Sequence, residues 1–256
     1  MKVAKQTTLR DHTALCGVGI HSGLPVTLTL HPADADTGLR FIRTHVDGWQ
    51  DREIPADMSA VTATEFATVL GDASGPLVST AEHVLAALSG LGVDNAVIEI
   101  DGPEAPIMDG SAAPFVAAID VKPETFRRDI ARARTFGFVR DVASLWNAGY
   151  ALGASLENTL VVSDNRILNP EGTRFPDEFV RHKVLDAVGD LALAGGPLLG
   201  TYRSVRGGHK LNHALVCALM SDASAWTWVE GELPRPVPGH AEMASRLAPA
   251  FGPEMS

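Results

Sequence analysis

Apolar and polar positions alternate along the first third of the chain. Val26, Leu28 and Leu30 take turns with Thr27 and Thr29 ahead of a turn at His31-Pro32. Residues 38–44 (GLRFIRT) repeat the pattern. Residues 96–100 (AVIEI) form a third run, bounded by Asp94-Asn95 and Asp101-Gly102-Pro103. Successive side chains of a strand point to opposite faces, so each run predicts a half-buried strand ending at a turn.

Elsewhere the period is helical. Ser79-Thr80-Ala81-Glu82 has the form of a capping box, and residues 83–91 then run unbroken to Gly92. Short helices are predicted over 112–119, over 123–133 with Pro123 in the first turn, and over 141–148. Thr135-Phe136-Gly137-Phe138 separates the last two. Residues 160–163 read as a strand. The strongest helix covers 179–194, where Phe179, Val184, Leu185, Val188 and Leu191 make an apolar stripe ended by Gly195-Gly196-Pro197. A strand over 198–205 and a helix over 210–220 follow. The tail after Glu232, rich in Pro and Ala, is weakly specified. Strands and helices in mixed order predict an α+β fold.

Composition narrows the function. The 256 residues suffice for one large domain or two ordinary ones. Apolar residues at 45% and charged residues at 20% are the mix of a soluble globular protein. A net charge of −10 argues against a protein that tracks nucleic-acid phosphates. Cys16 and Cys217 have no metal or disulfide spacing and read as reduced, buried thiols. The N-terminus has no long apolar region of the signal-peptide kind, and no apolar run is long enough to span a bilayer. A cytoplasmic protein is expected, and peripheral contact with a membrane is compatible with it.

His182 and Asp186 stand four apart on the strongest helix, hence on one face, where an imidazole and a carboxylate share one metal ion. Lys183 and Asp190 crowd the same two turns, which costs free energy unless partners offset it. A catalytic zinc takes three protein ligands and keeps one position open. His83 would complete the set, with Glu82 beside it to accept a proton. His209, after Gly207-Gly208, suits a general acid that Asp190 keeps protonated. From spacing alone the ordinary roles prevail: an ion pair for His182 and Asp186, a cap for Glu82, a surface position for His83, a loop position for His209.

The longer context resolves this. The runs 78–83 (VSTAEH), 94–95 (DN), 106–115 (PIMDGSAAPF), 132–138 (RARTFGF), 179–190 (FVRHKVLDAVGD) and Gly208-His209 stand in the order of a known family. From about Gln6 to about Trp228 the chain resembles the UDP-3-O-acyl-N-acetylglucosamine deacetylases, zinc enzymes of lipid A synthesis in Gram-negative bacteria. The resemblance implies two similar α+β domains, each a sheet layered on helices, with the metal between them. It implies that His83, His182 and Asp186 are the zinc ligands, a set that iron(II) also suits. Glu82 takes the general base's place, His209 that of the cationic acid and oxyanion stabiliser, and Asp190 that of its orienting carboxylate. Thr135 takes the place of the hydroxyl that helps polarise the acetamide. Lys183 and Phe136 match contacts to the diphosphate and sugar. Val139, Val142, Ala151, Ser155 and Val161 fall in the segment forming the acyl-chain passage. A monomer acting on a nucleotide-sugar lipid is expected, with no nucleic-acid partner.

One departure stands out. At Asp120-Val121 the first domain (1–120) runs straight into the second (121–256), without the strands that open the family's second domain. Several dozen residues are absent, including the family's main contact with the uracil base. The helices of the second half are expected to lose part of the surface that buries them. A competing expectation follows: a non-catalytic remnant that binds metal or an acyl chain.

Overall fold

The computed structural model describes residues 6–45, 51–72, 75–119 and 124–229. The junction Asp120-Val121 and the tail after Glu232 lie outside them. In chain order the first half comprises β1 (Thr13–Val18), β2 (Pro25–Pro32), β3 (Leu39–Arg43), β4 (Arg52–Pro55), a 3-10 turn (Met58–Ala60), β5 (Val61–Ala63), β6 (Val69–Gly71), β7 (Leu77–Val78), α1 (Glu82–Gly90), β8 (Ala96–Ile100) and α2 (Ala113–Ala118). The second half comprises α3 (Glu124–Asp129), β9 (Phe136–Phe138), α4 (Val139–Asn147), β10 (Leu160–Ser163), β11 (Arg166–Ile167), α5 (Glu178–Ala192) and α6 (His209–Ser221).

The three alternating runs of the first third become β2, β3 and β8, the centre of a five-stranded sheet in the order β1-β2-β8-β3-β4. β8 pairs antiparallel with β2, Leu28 opposite Ile100, and parallel with β3, Phe41 opposite Ile98. Leu28, Leu30, Phe41, Ile98 and Ile100 are fully buried. Each such side chain contributes roughly 1.5–3 kcal/mol on leaving water. β2 runs on through His31 and Pro32, which pair with Val97 and Ala96, so the predicted turn falls after them. β5, β6 and β7 make a small separate sheet that delivers the chain to α1.

α1 is the central element. Every side chain from Glu82 to Leu88 is buried. One apolar core joins α1 to the sheet residues on one side and to Leu185 and Leu193 of the second half on the other. The predicted capping box is not formed. The N-cap is Ala81, without a side-chain cap. Ser79 is occupied with its neighbours instead: its N–H donates to Pro103 O, and its carbonyl accepts from Ala105 N. Thr80 adopts a left-handed φ of 56° and donates its hydroxyl to Glu104. Glu82 is thereby free to serve elsewhere.

The second half is thin in strands, as its sequence implies. Among the described residues it holds one three-stranded sheet, β11-β10-β9. The predicted 123–133 helix shortens to α3, and only its Phe126 is buried. The apolar stripe of α5 is only part of its buried face: Leu185 enters the core and Val188 packs against it, but Val184 is exposed. Glu178, His182, Leu185, Asp186, Gly189 and Asp190 turn inward, while Val180 and Val184 are exposed. This face of the helix brings His182 and Asp186 against His83 of α1. Residues 198–205 form no strand. No described strand pairs with them, and Leu198, Leu199, Tyr202 and Val205 are exposed. A strand without a ladder partner gains little. Both cysteines are free, and Cys16 is exposed rather than buried. No helix among the described residues is long and apolar enough to cross a membrane.

Candidate metal centre

α1 and α5 cross with their polar residues facing each other. His83 from α1 meets His182 and Asp186 from α5, and one ligand atom of each lies within 4.8 Å of the others. All three are buried. His182 Nε2 stands 3.1 Å from Asp186 Oδ1, and His83 Nε2 stands 3.7 Å from it. The two rings meet edge to face at 5.1 Å.

The proton inventory favours a cation here. His182 Nδ1 donates to Ala133 O at 3.0 Å, which turns its other ring nitrogen, Nε2, into the group. Burial, then the neighbouring His182, pushes His83 down to about 3, so it is neutral with a lone pair of its own. Asp186 Oδ1 is buried without a hydrogen bond. Burial alone would raise the Asp186 carboxyl, but His182, Lys183 and His209 hold it well below the usual range. An ionised, unpartnered oxygen buried beside two imidazole nitrogens is costly unless a positive ion sits among them. Two imidazoles and a carboxylate gathered this closely could hold a metal ion.

The remaining charged groups are brought to the same place. Lys183 Nζ donates to Asp186 Oδ2 at 2.9 Å and lies 5.4 Å above the Phe136 ring. Phe136 in turn stands edge-on to His182 at 6.3 Å. His209, the first residue of α6, donates from Nδ1 to Asp190 Oδ2 at 2.9 Å and places Nε2 3.9 Å from Glu82 Oε1. Burial raises the Glu82 carboxyl to about 7, partly offset by His209. For His209 burial works downward, and Glu82 and Asp190 override it, giving about 10.

Thr135 sits at the head of β9, two residues after the carbonyl that holds His182, with its N–H bonded to Gly110 O. The five residues of the expected acyl passage are further out. Val139 and Val142 lie on α4, which has no buried side chain, and Val161 lies on β10. Ala151 and Ser155 lie in the connection between α4 and β10. A cleft of about 240 Å³ is lined by Phe138, Val139, Arg140, Val162, Ser163 and Asp164, so Val139 alone of the five lines it.

Several partners were not legible in advance. Thr68 donates its N–H to Glu82 and its hydroxyl to Asp190, and no spacing rule marks it. Asn212 donates to Asp190, and its position one turn after His209 was a usable signal. Arg134 and Glu178, almost fully buried, pair where the segment from Ala133 to Thr135 leads into β9.

Comparison with known proteins identifies a family. The family model described as LpxC: UDP-3-O-acyl N-acetylglycosamine deacetylase matches residues 6–122 and 117–221. The two matches overlap at residues 117–122. Proteins of Brucella melitensis biotype 2, Brucella ovis and Brucella abortus strain S19, each named UDP-3-O-acyl-N-acetylglucosamine deacetylase, are 42% identical over 286 residues. The similarity covers 89% of this chain and 99% of theirs. Those 286 positions exceed the 256 residues present, so the relatives carry residues with no counterpart here. By both measures the chain belongs to the UDP-3-O-acyl-N-acetylglucosamine deacetylase family.

Proposed function

We propose that this chain is a zinc-dependent amidase that hydrolyses the 2-acetamido group of UDP-3-O-acyl-N-acetylglucosamine in lipid A biosynthesis, in the cytoplasm of a Gram-negative cell. The observation that carries the reading is the single buried group that unites His83, His182 and Asp186 with Glu82 on one flank and the His209–Asp190 pair behind it.

Zinc bound by the three ligands supplies a Lewis acid for the acetamide carbonyl and acidifies the attacking water. Glu82, with a carboxyl near neutrality, accepts the proton of that water as its oxygen bonds to the carbonyl carbon. The cationic His209 and the Thr135 hydroxyl stabilise the oxyanion. His209 then donates its proton to the amide nitrogen, the C–N bond breaks, and acetate and a free amine result. Asp190 keeps His209 charged and oriented. Lys183 and Phe136 take the diphosphate and sugar, and the acyl chain runs past Val139, Val142, Ala151, Ser155 and Val161. The enzyme acts as a monomer of two domains, 1–120 and 121–256, and iron(II) can replace zinc on this ligand set.

A second reading has an observation of its own. The exposed Val180 and Val184 of α5 and the unpaired residues 198–205 mark a second domain lacking part of its cover, as in a binding remnant without turnover. One measurement separates the two. The zinc-loaded, folded protein is incubated with UDP-3-O-acyl-N-acetylglucosamine and acetate is assayed. Release of acetate supports the amidase. Stoichiometric zinc without acetate release overturns it in favour of the remnant.

A further inference from the structure

Thr68 precedes β6 and is 1% exposed. Its main chain is committed to the start of α1: the carbonyl accepts from Ala81 N at 3.2 Å, and the N–H donates to Glu82 Oε2 at 3.0 Å. Its side chain reaches the other way, with Oγ1 donating to Asp190 Oδ1 at 2.6 Å. A hydroxyl has one proton, spent here on Asp190. Toward His209 Nδ1, 3.4 Å away, it is only an acceptor, and that ring N–H has its nearer partner in Asp190 Oδ2 at 2.9 Å.

The result is an asymmetric hold on Asp190. Oδ2 accepts from His209 and from Asn212, both on α6. Oδ1 accepts from Thr68, in the first half of the molecule. With Oε2 held by the Thr68 N–H, Glu82 turns its free Oε1 toward His209 Nε2. We propose that Thr68 is a positioning residue that locks the base Glu82 and the acid pair His209–Asp190 into one register across the two halves of the molecule. This rests on the amidase reading above. It adds a cross-domain tie between the two proton-transfer groups, acting through hydrogen bonds rather than by contact with substrate.

A merely structural Thr68 would only fill space. Thr68→Val separates the two roles, because it keeps the shape and the N–H to Glu82 and removes only the hydroxyl. The expected result is a fall in kcat of about 10- to 100-fold, the kinetic equivalent of one hydrogen bond to a charged group. KM and zinc content stay within twofold. Thr68→Ser restores kcat to within about threefold. In an Asp190→Ala background, where the acceptor is gone, Thr68→Val has almost no further effect on kcat, whereas a space-filling role would add its full cost. If the valine variant does not fold, Thr68→Ala takes its place in the same series.

A second readout is independent of turnover. The His209 Nδ1–H proton should give a sharp, slowly exchanging downfield NMR signal in the parent protein and a broadened or absent one in Thr68→Val. The titratable groups facing His209 include Glu82 and His83 of α1, Asp190 and Asp186 of α5, and His21 between β1 and β2, and all are retained in that variant. Unchanged kcat and an unchanged signal in Thr68→Val overturn the proposal, as does a serine variant as impaired as the valine one. If the parent protein releases no acetate, the amidase reading fails, and the NMR comparison alone decides whether Thr68 orders the pair.

Discussion

Gly189 of α5 passes so close to α1 that a Cβ built on it would lie 2.0 Å from the main-chain oxygen of Glu82. Only a residue without a side chain fits there. The close crossing brings His83, the next residue of α1, within 3.7 Å of Asp186. Gly189→Ala must therefore push the helices apart. Overpacking of this kind costs roughly 1–3 kcal/mol and is paid at the ligand group itself. Zinc titration should show affinity lowered at least tenfold, alongside a lower melting temperature. An alanine variant with parental zinc affinity would sever the link between this crossing and the metal centre.

The ligands and the acid separate by metal content. His182→Ala removes a ligand atom, so zinc measured by elemental analysis should fall well below one equivalent. His209→Ala removes a group whose charged partners are Asp190 and Glu82, so zinc should stay near one equivalent while turnover falls by a factor of about 100 or more, within the range for a lost proton donor. Reversal of the two patterns would reassign both residues.

The pH dependence of stability has a definite sign above neutrality. His209 is raised from 6.5 to about 10, chiefly because Glu82 and Asp190 outweigh the burial that would lower it. Its stabilising effect is complete below 6.5 and is lost as pH rises through 10. Below neutrality Glu82, raised to about 7, and His83, lowered to about 3, act in opposite directions. The clean window is thus pH 7–10. In that window the melting temperature of the metal-free protein should fall by several degrees. Most of that fall should vanish in His209→Ala, and an equal fall in both proteins refutes the assignment.

Arg134 and Glu178 pair at 3.0 Å with side chains 1% and 0% exposed. Glu178 also accepts from the backbone of Arg134 and of Arg174. Glu178→Ala leaves a guanidinium buried with a smaller set of partners, a change that costs about 3–5 kcal/mol in comparable cases. Urea unfolding should register it. Zinc affinity should fall as well, because Arg134 adjoins the carbonyl that orients His182.

What could be read in the residues and what could not follow a physical division. β2, β8, α5 and α6 were legible because their periodicity is local. The inward face of α5 was not, since hydrophobicity points to Val184 and the structure buries Asp186, whose partners come from distant segments. Residues 198–205 have strand-forming side chains but no neighbour to pair with, and pairing is not a property of one segment. His83, His182 and Asp186 were singled out by motif context rather than by spacing. Thr68 escaped notice because its role depends on two hydrogen bonds that only the folded chain creates.

The atom that fixes the His182 ring is the main-chain oxygen of Ala133. Every amino acid supplies that oxygen, so exchanging side chains at position 133 cannot delete the interaction. A mutational scan would register residue 133 only through its size, as a small residue in a tight place, and would miss its part in setting the imidazole tautomer. The interaction is exposed to genetic change only indirectly, through residues such as Arg134 and Glu178 that determine where the peptide lies. A chain whose relatives carry additional residues can keep this contact so long as those anchors hold the segment.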